Sequence, residues 1–596
     1  MQKVAEFIKK HPDCTAGVVI FLITLLFFLP GLNFEPLPLD TSAYIGNEYL
    51  LTPTWENFIH HLKTPVLGLH SPLVMHSFML DYWIWGKDLL IFGGRLHNII
   101  LHAANAVLFF FLLRQFKVSR QTISLSLPAV IFAVLCFALH PQRVESVIWV
   151  VERKDVQVLF CGLLSTLLFT CGYRKNNWWF ALAGAFFFLL SFGAKPLMLL
   201  LPLILLLGIW VCSSEFEWKK SLKLLTPYLA VIALYAALNA AQLGESAGGS
   251  AAGAISAERL SVVNLNCTNY FFKTLLPLNT QPLYPVFTLD NGMLLLCILF
   301  WGMTAATVIL SIIRWRYRKE MLTLWLPLLA AFGMALLPMA GFKSIGNAEF
   351  ADRYSYYPSI FIWVAMALAY NAFAPRRTIW QFAFWAYGFL IVVLGFCYLQ
   401  SWQSKESFIN AMLIQKENSH PTALRMASWH CLTQKDFANA LTFASQAYEQ
   451  TPEDQRHEAE VYLLATQGMV MVEQGDTRGI ILIDQAITSP AWGRLRYSSA
   501  GFAEAVLLKA AELHLLMGDV TFARQCYLVL AELSMGSNPV RELSFKAYAA
   551  YLVKDYAEAE RLIQMALEKS PDDPVLQKDL ADYRKLKNLP AKAASN

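Results

Sequence analysis

Charge is scarce in this sequence: only 15% of its 596 residues are Asp, Glu, Lys or Arg, whereas 56% are hydrophobic and the mean hydropathy is +0.43. Such a chain cannot cover itself with polar surface, which excludes an ordinary soluble enzyme and makes a lipid bilayer its solvent. The ten cysteines carry no pattern: several lie inside apolar runs, no CxxC occurs, and nothing pairs Cys431 with Cys526. Neither a disulfide framework nor a zinc site is indicated, and any divalent-metal requirement is left open. The formal net charge of +5 is small and sits mainly in short loops, so it reports topology and gives no ground for a nucleic-acid partner. The first apolar run, Thr15 to Pro30, follows the basic segment Lys3 to His11 but lacks a small-residue cleavage site, and reads as a retained anchor.

What the sequence does have is long apolar runs. Roughly eleven stretches between Cys14 and about Gln400 are long enough to cross about 30 Å of hydrocarbon as helices. Alternate connections are basic: Lys9 and Lys10, Arg114 to Arg120, Arg174 and Lys175, Lys219 to Lys223, Arg314 to Lys319, and Arg376 with Arg377. By the excess of Lys and Arg these are the cytoplasmic loops. The intervening connections, 31–94, 140–155, 193–195, 242–285 and 341–353, fall on the other side. An odd number of crossings from a cytoplasmic N-terminus carries everything after Gln400 to that side as well.

From Ser401 onward the period changes to that of small helices, as in "KDFANALTFASQAYEQTP" and "KDYAEAERLIQMALEKSP". Between them lie "GDTRGIILIDQAITSP" and "GDVTFARQCYLVL". Asp436, Asp476, Asp519 and Asp555 recur every roughly 36 to 43 residues, near the tetratricopeptide period of about 34. Ala440, Ala447, Ala559 and Ala566 are the expected close-packing positions, and Pro452, Pro490 and Pro571 punctuate the second helices. The fold class expected is therefore all-α: a polytopic membrane bundle over 1–400 with a large first outer loop (31–94), then a soluble tetratricopeptide-like solenoid over 401–596. Such an array either binds a partner or serves as a helical cap.

Ionisable residues at membrane depth cost at least about 2.5 to 3.5 kcal/mol each and are functional candidates by default. Asp40 lies just beyond the first apolar segment in "PLDTSAYIGNEYL", with Glu48 further on. The stretch "ALHPQRVESVIWVVERKDV" holds His140, Arg143, Glu145, Glu152, Arg153, Lys154 and Asp155 between two apolar segments. "SFGAKPLMLLLP" places Lys195 at the start of a crossing helix, and "NAEFADRYSYYPS" places Glu349, Asp352, Arg353, Tyr354 and Tyr356 at another. All four clusters fall on the outer side. Converging cations and carboxylates there suit a reaction on a phosphate-linked lipid, the cations holding phosphate and a carboxylate taking an acceptor proton. Lys195 and Arg143 taken singly also fit interfacial anchoring. His97 and His102 read as satisfied packing residues, and Tyr82, Trp83 and Trp85 as belt or loop packing.

These stretches, with "PLVMHSFMLDYWIWG", "LHNIILHAANAVLFF", "YFFKTLLPLNTQPLYP" and the repeats following in order, resemble the GT-C superfamily of glycosyltransferases. Within it they resemble the transmembrane and tetratricopeptide-repeat mannosyltransferase-like proteins. The resemblance spans nearly the whole chain. It implies surface-lying helices in the first outer loop, a polyprenyl-phosphate-sugar donor, and an inverting transfer to a protein or glycan acceptor. It also implies Asp40 as catalytic base, Glu152 and Asp155 as the second acidic position, and Arg153, Lys154, Lys195 and Arg353 as holders of donor phosphate. Two departures bear on the acceptor: relatives often show paired acids where this chain has Leu39 and Asp40, and Arg before Pro where it has Ser71 and Pro72.

The chain reads as a bacterial inner-membrane protein with periplasmic repeats. The corresponding side in a eukaryote is the endoplasmic reticulum lumen. The Gly- and Ala-rich stretch 244–260 fits a mobile outer loop or a linker. Two other functions use similar parts: an oligosaccharide ligase of the O-antigen type, and a non-catalytic transporter or assembly factor. The first favours a large late outer loop, the second charges at the bilayer midplane, whereas this chain places its largest loop first and its charges at one face.

Overall fold

In the computed structural model the described residues are 10–37, 39–46, 48–118, 123–213, 216–245, 256–284, 291–317, 322–342, 350–413, 419–535 and 538–588. Lys3, Lys9, Arg120, Lys319, Glu349 and most of the stretch 244–260 lie outside them, as does the side chain of Glu48. The chain divides into two compact units, Met1–Pro38 with Leu51–Ala411, and Leu39–Leu50 with Met412–Asn596.

The short helix α2 (Thr41–Ile45) and α3 (Glu48–Leu51) up to Leu50 fall in the second unit. The first unit holds α1 (Pro12–Phe28), α4 (Trp55–Lys63), α5 (Pro72–Trp85), α6 (Leu90–Arg114), α7 (Leu127–Ala138), α8 (Val144–Ile148) and α9 (Arg153–Lys175). After these come α10 (Trp178–Phe192), α11 (Leu201–Cys212), α12 (Trp218–Glu245), α13 (Ala257–Leu275) and α14 (Asn291–Tyr317). Then follow α15 (Leu322–Leu336), α16 (Ser359–Phe373), α17 (Thr378–Gln400) and α18 (Lys405–Met412), the last ending at the boundary between units. A two-residue antiparallel pairing, Lys117–Val118 with Ile123–Ser124, follows α6.

Among the described residues six helices are long and apolar enough to cross a bilayer: Pro12–Asn33, Leu90–Arg114, Val150–Lys175, Trp218–Leu238, Asn291–Leu310 and Thr378–Gln400. Leu127–Ala138 and Pro141–Ile148, bent by 55°, form a seventh if counted as one broken span. Other apolar stretches become the shorter helices Trp178–Phe192, Leu201–Cys212 and Leu324–Met339. Proline shortens several of them: Pro141, Pro196 and Pro202 open their segments, and Pro327 lies inside α15. The chain is thus an all-α polytopic membrane protein followed by a helical tail.

α9 packs against both α6 and α10. It ends on Asn176 in the left-handed region (φ 50°), and Asn177 accepts from Trp179 N at 2.9 Å to start α10. The resulting hairpin is tight at Gly172, where a Cβ would meet Asn177 O at 3.0 Å and Ala181 N at 3.2 Å, closer than most Cβ contacts. The hairpin also returns the end of α10 to the start of α9, where the charged residues lie.

In the second unit the helices run α19 (Pro421–Thr433), α20 (Phe437–Gln450), α21 (Arg456–Glu473), α22 (Gly479–Thr488), α23 (Trp492–Ser498), α24 (Ala500–Leu516), α25 (Val520–Ser534), α26 (Pro539–Leu552), α27 (Tyr556–Lys569) and α28 (Pro574–Lys587). Lys435, Gly475, Gly518 and Lys554 take positive φ, and each is followed by one of the four recurring acids. Asp436, Asp519 and Asp555 cap the next helix by accepting from Asn439 N, Phe522 N and Glu558 N at 3.1–3.3 Å. Asp476 accepts from Arg478 N at 3.0 Å. A left-handed residue ends one helix and a carboxylate starts the next, a cap worth about 1 kcal/mol. Ala440, Ala447, Ala559 and Ala566 are buried where the paired helices touch.

Candidate functional site

Most of the buried ionisable residues of the first unit gather at one end of its helices. Pro141 breaks the span at α7, so α8 carries Glu145 into the bundle, and a 3-10 turn Val150–Glu152 then leads into α9. Glu152 is the N-cap of α9 and Asp155 lies in its first turn, where the helix dipole favours negative charge. Lys195 follows the end of α10, and Arg353 lies in the 3-10 turn Asp352–Ser355 ahead of α16.

These side chains close on one another. Lys195 Nζ lies 2.9 Å from Asp155 Oδ1, and Glu152 Oε1 is 3.3 Å from Lys154 Nζ and 3.7 Å from Arg353 Nε. Arg353 also pairs through Nη1 with Glu145 Oε1, and its backbone N donates to Glu145 Oε2 at 3.0 Å. Burial opposes the charge on Arg353, but Glu145, Tyr354 and Glu152 hold its pKa well above the usual guanidinium value. Tyr354 presents its ring to both cations, at 5.0 Å from Lys195 Nζ and 4.8 Å from Arg353 Cζ. Pairing is what permits these charges in a low-dielectric setting, where single ions cost several kcal/mol each. The pairing leaves some buried atoms without a hydrogen-bond partner among the described residues: Glu152 Oε2, Asp155 Oδ2, and Arg143 Nε and Nη1.

Exposure separates the four cations that sequence assigns to phosphate. The side chains of Lys154, Lys195 and Arg353 retain 9%, 8% and 15% exposure, whereas Arg153 has none. Arg153 spends its nitrogens inside the protein, on Asn98 Oδ1 (2.8 Å), Ser77 Oγ (2.9 Å), Gly94 O (2.8 Å) and Asp81 Oδ2 (2.5 Å). It clamps α9 to α5 and α6, with none of its side-chain surface exposed.

His140 and Arg143 are fully buried behind this cluster. Nδ1 of His140 accepts from Gln142 N, and Arg143 donates to Ser355 Oγ at 2.6 Å with its guanidinium over the Tyr356 ring. His102 is satisfied by Tyr356 Oη (2.6 Å) and Ala138 O (2.9 Å), and His97 by Asp81 (2.8 Å). Among the described residues no three His, Cys, Asp or Glu side chains form a metal-binding group. Asp40 is exposed and belongs with 39–50 to the second unit. The geometry above is that of the first unit alone.

Three further groups escape the sequence reading. Asp81 is a carboxylate on the mostly apolar α5, and that isolation is the signal that could have found it. Arg95, within α6, ties the 34–35 segment and α8 together through Phe34 O, Glu35 O (2.9 Å) and Ile148 O (3.3 Å). Lys273 on α13 donates to Leu278 O, Asn279 O and Tyr284 Oη at 2.9–3.3 Å. Tyr284 in turn donates to Asp352 Oδ2 at 2.7 Å, and Asp352 Oδ1 accepts from Gln142 Nε2 at 3.1 Å. This chain of bonds fixes the turn that carries Arg353.

Burial pushes the Lys273 ammonium down to about 8, against an opposing pull from Asp352. A lysine whose folded pKa lies below its unfolded value binds fewer protons when folded, so its contribution to stability rises between about pH 8 and about pH 10. In detergent, the wild-type thermal midpoint is expected to gain more over that window than that of Lys273→Met. Parallel pH curves for the two proteins would show that Lys273 is not desolvated.

Fold and site together define a polytopic membrane protein whose buried ion pairs collect at one end of its bundle. No family model matches the chain. Over 180 residues it is 25% identical to "Protein O-mannosyl-transferase TMTC4" of Mus musculus, covering 28% of this chain and 24% of that protein. Over 194 residues it is 26% identical to the protein of the same name from Homo sapiens, covering 30% and 26% respectively. The chain spans about a quarter of the length of these curated relatives. Over that 28–30% of the chain, the resemblance to mannosyltransferase-like membrane proteins that the motifs carry is matched by direct sequence similarity.

Proposed function

We propose that this protein is a membrane glycosyltransferase that moves a sugar from a polyprenyl-phosphate carrier to a hydroxyl of a protein or glycan acceptor on the non-cytoplasmic face. The observation that carries this reading is the nearly buried trio Lys154, Lys195 and Arg353, each keeping a little side-chain exposure, beside the oxygens of Glu152 and Asp155 that lack a hydrogen-bond partner among the described residues. Cations in a low-dielectric site stabilise the phosphate released when the bond from the anomeric carbon to the phosphate oxygen breaks. The acceptor oxygen forms the new glycosidic bond and gives its proton to a carboxylate, a role we give to Asp40. One displacement of this kind inverts the anomeric centre. The helical-hairpin tail, tetratricopeptide-like in its period, is the part suited to holding the acceptor.

Mannose is the first sugar to test, since both relatives are named for its transfer. Purified protein in lipid nanodiscs, given polyprenyl-phosphate mannose and candidate acceptors, is expected to yield products heavier by one hexose. Lys195→Met is expected to lower that rate at least about a hundredfold, by removing a charge that faces the leaving phosphate. Products gaining a whole oligosaccharide would instead identify a ligase. Failure to release sugar from any polyprenyl-phosphate donor would end the transferase reading.

A further inference from the structure

At the far end of α9 from the buried ion pairs lies a cavity of about 910 Å³ between the ends of α6, α9 and α11 and the first turns of α15. From Arg153 to Arg174 the helix runs about 30 Å at 1.5 Å per residue, which is the thickness of a hydrocarbon core. The cavity and the ion pairs therefore sit a bilayer apart. Leu112, Phe169, Leu205, Ile209, Leu328 and Val364 form apolar walls of a kind that suits acyl chains. Its polar rim is different, being lined by Arg114, Gln115, Tyr173, Arg174, Glu217 and Lys220, three cations and one carboxylate among them.

Arg114 pairs with Asp13 at 2.9 Å, but the other two cations are poorly neutralised. Arg174 is exposed, and its hydrogen bonds go to the side chain and backbone oxygens of Gln115 at 3.2 and 2.6 Å, neither of them an acid. Lys220 lies 3.1 Å from Glu217, whose side chain is 58% exposed, and a pair so open to solvent holds its charge only weakly. Lys220 also lies 4.4 Å from the Tyr173 ring, and the buried Tyr173 Oη has no hydrogen-bond partner among the described residues. Long apolar walls ending in cations match a lipid with acyl chains and an anionic head.

We propose that this cavity is a binding site for an anionic phospholipid, with its acyl chains between α6, α9, α11 and α15 and its phosphate at Arg174 and Lys220. This needs only the membrane character of the chain and is independent of the transferase reading. A cation near the membrane surface contributes enough that removing two should cost roughly tenfold to thirtyfold in affinity. Gly208 offers a second handle: it lines the cavity, and a Cβ there meets nothing within 4 Å, so a large side chain can enter without moving backbone.

The test is titration of the delipidated full chain in detergent with phosphatidylglycerol, phosphatidylcholine or inorganic phosphate, read by thermal shift and by native mass spectrometry of retained lipid. Phosphatidylglycerol is expected to bind at least about tenfold more tightly than phosphatidylcholine. The double variant Arg174→Gln with Lys220→Gln should remove that preference, and Arg174→Lys should keep it. Gly208→Trp should weaken both lipids. Equal binding of the two lipids, or a preference untouched by the double variant, would overturn the site, as would a shift of equal size with phosphate alone.

Discussion

Asp40→Asn is expected to lower sugar transfer by about a hundredfold to ten-thousandfold while leaving donor binding intact, because an amide keeps the shape of the carboxylate but cannot accept the acceptor's proton. Asp40 precedes α2, and its backbone carbonyl accepts from Ala43 N at 3.1 Å, an arrangement the substitution does not touch. Its exposure argues the same way, since substitutions at exposed positions usually change stability little and the protein should fold as before. Donor binding, followed by retention of a labelled polyprenyl-phosphate sugar, separates this variant from Lys195→Met, which should lose both binding and turnover. Wild-type turnover in Asp40→Asn would remove the base assignment and move the search to Glu152 and Asp155, each of which keeps one unpartnered oxygen.

Much of this architecture is legible in the sequence because membranes impose simple rules. The long runs from Leu90 and Thr378 become full spans, and the density of charge from His140 to Asp155 becomes the densest part of the buried cluster. Lys195 and Arg353 join it across 40 and 208 residues of sequence, meeting Asp155 and Glu145. Spacing alone could not supply those pairings, which come from the α9–α10 hairpin and from the turn before α16. Proline hid part of the topology: the bend between Ala138 and Pro141 turns one apolar run into two helices and draws Glu145 inward. Asp81 was obscured for another reason. Its surroundings in α5 are aromatic and read as interfacial packing, while its partner Arg153 sits 72 residues away and reads as a phosphate ligand. In the tail the recurring acids mark the turns correctly, and the structure adds that three of them are helix caps.

Arg153→Met is expected to destabilise the protein by about 3 to 5 kcal/mol, because it strands the Asp81 carboxylate in a site with almost no water. Asp81 retains only 3% side-chain exposure, and Arg153 also stacks its guanidinium 4.3 Å from the Phe78 ring. His97 is 2.8 Å from Asp81 and would be left as its remaining close partner. Replacing both ions with apolar groups, Arg153→Met with Asp81→Leu, should recover most of the loss, since well-packed hydrophobic residues often replace a buried pair at little or no cost. Denaturant or thermal unfolding in detergent reads all three proteins, and the recovery in the double variant is what distinguishes stranded charge from simple loss of packing. The same pair decides between the two roles open to Arg153. A clamp gives the double variant near-normal stability together with measurable sugar transfer. A phosphate ligand gives it normal stability with transfer and donor binding both lost, and that outcome would return Arg153 to the company of Lys154, Lys195 and Arg353.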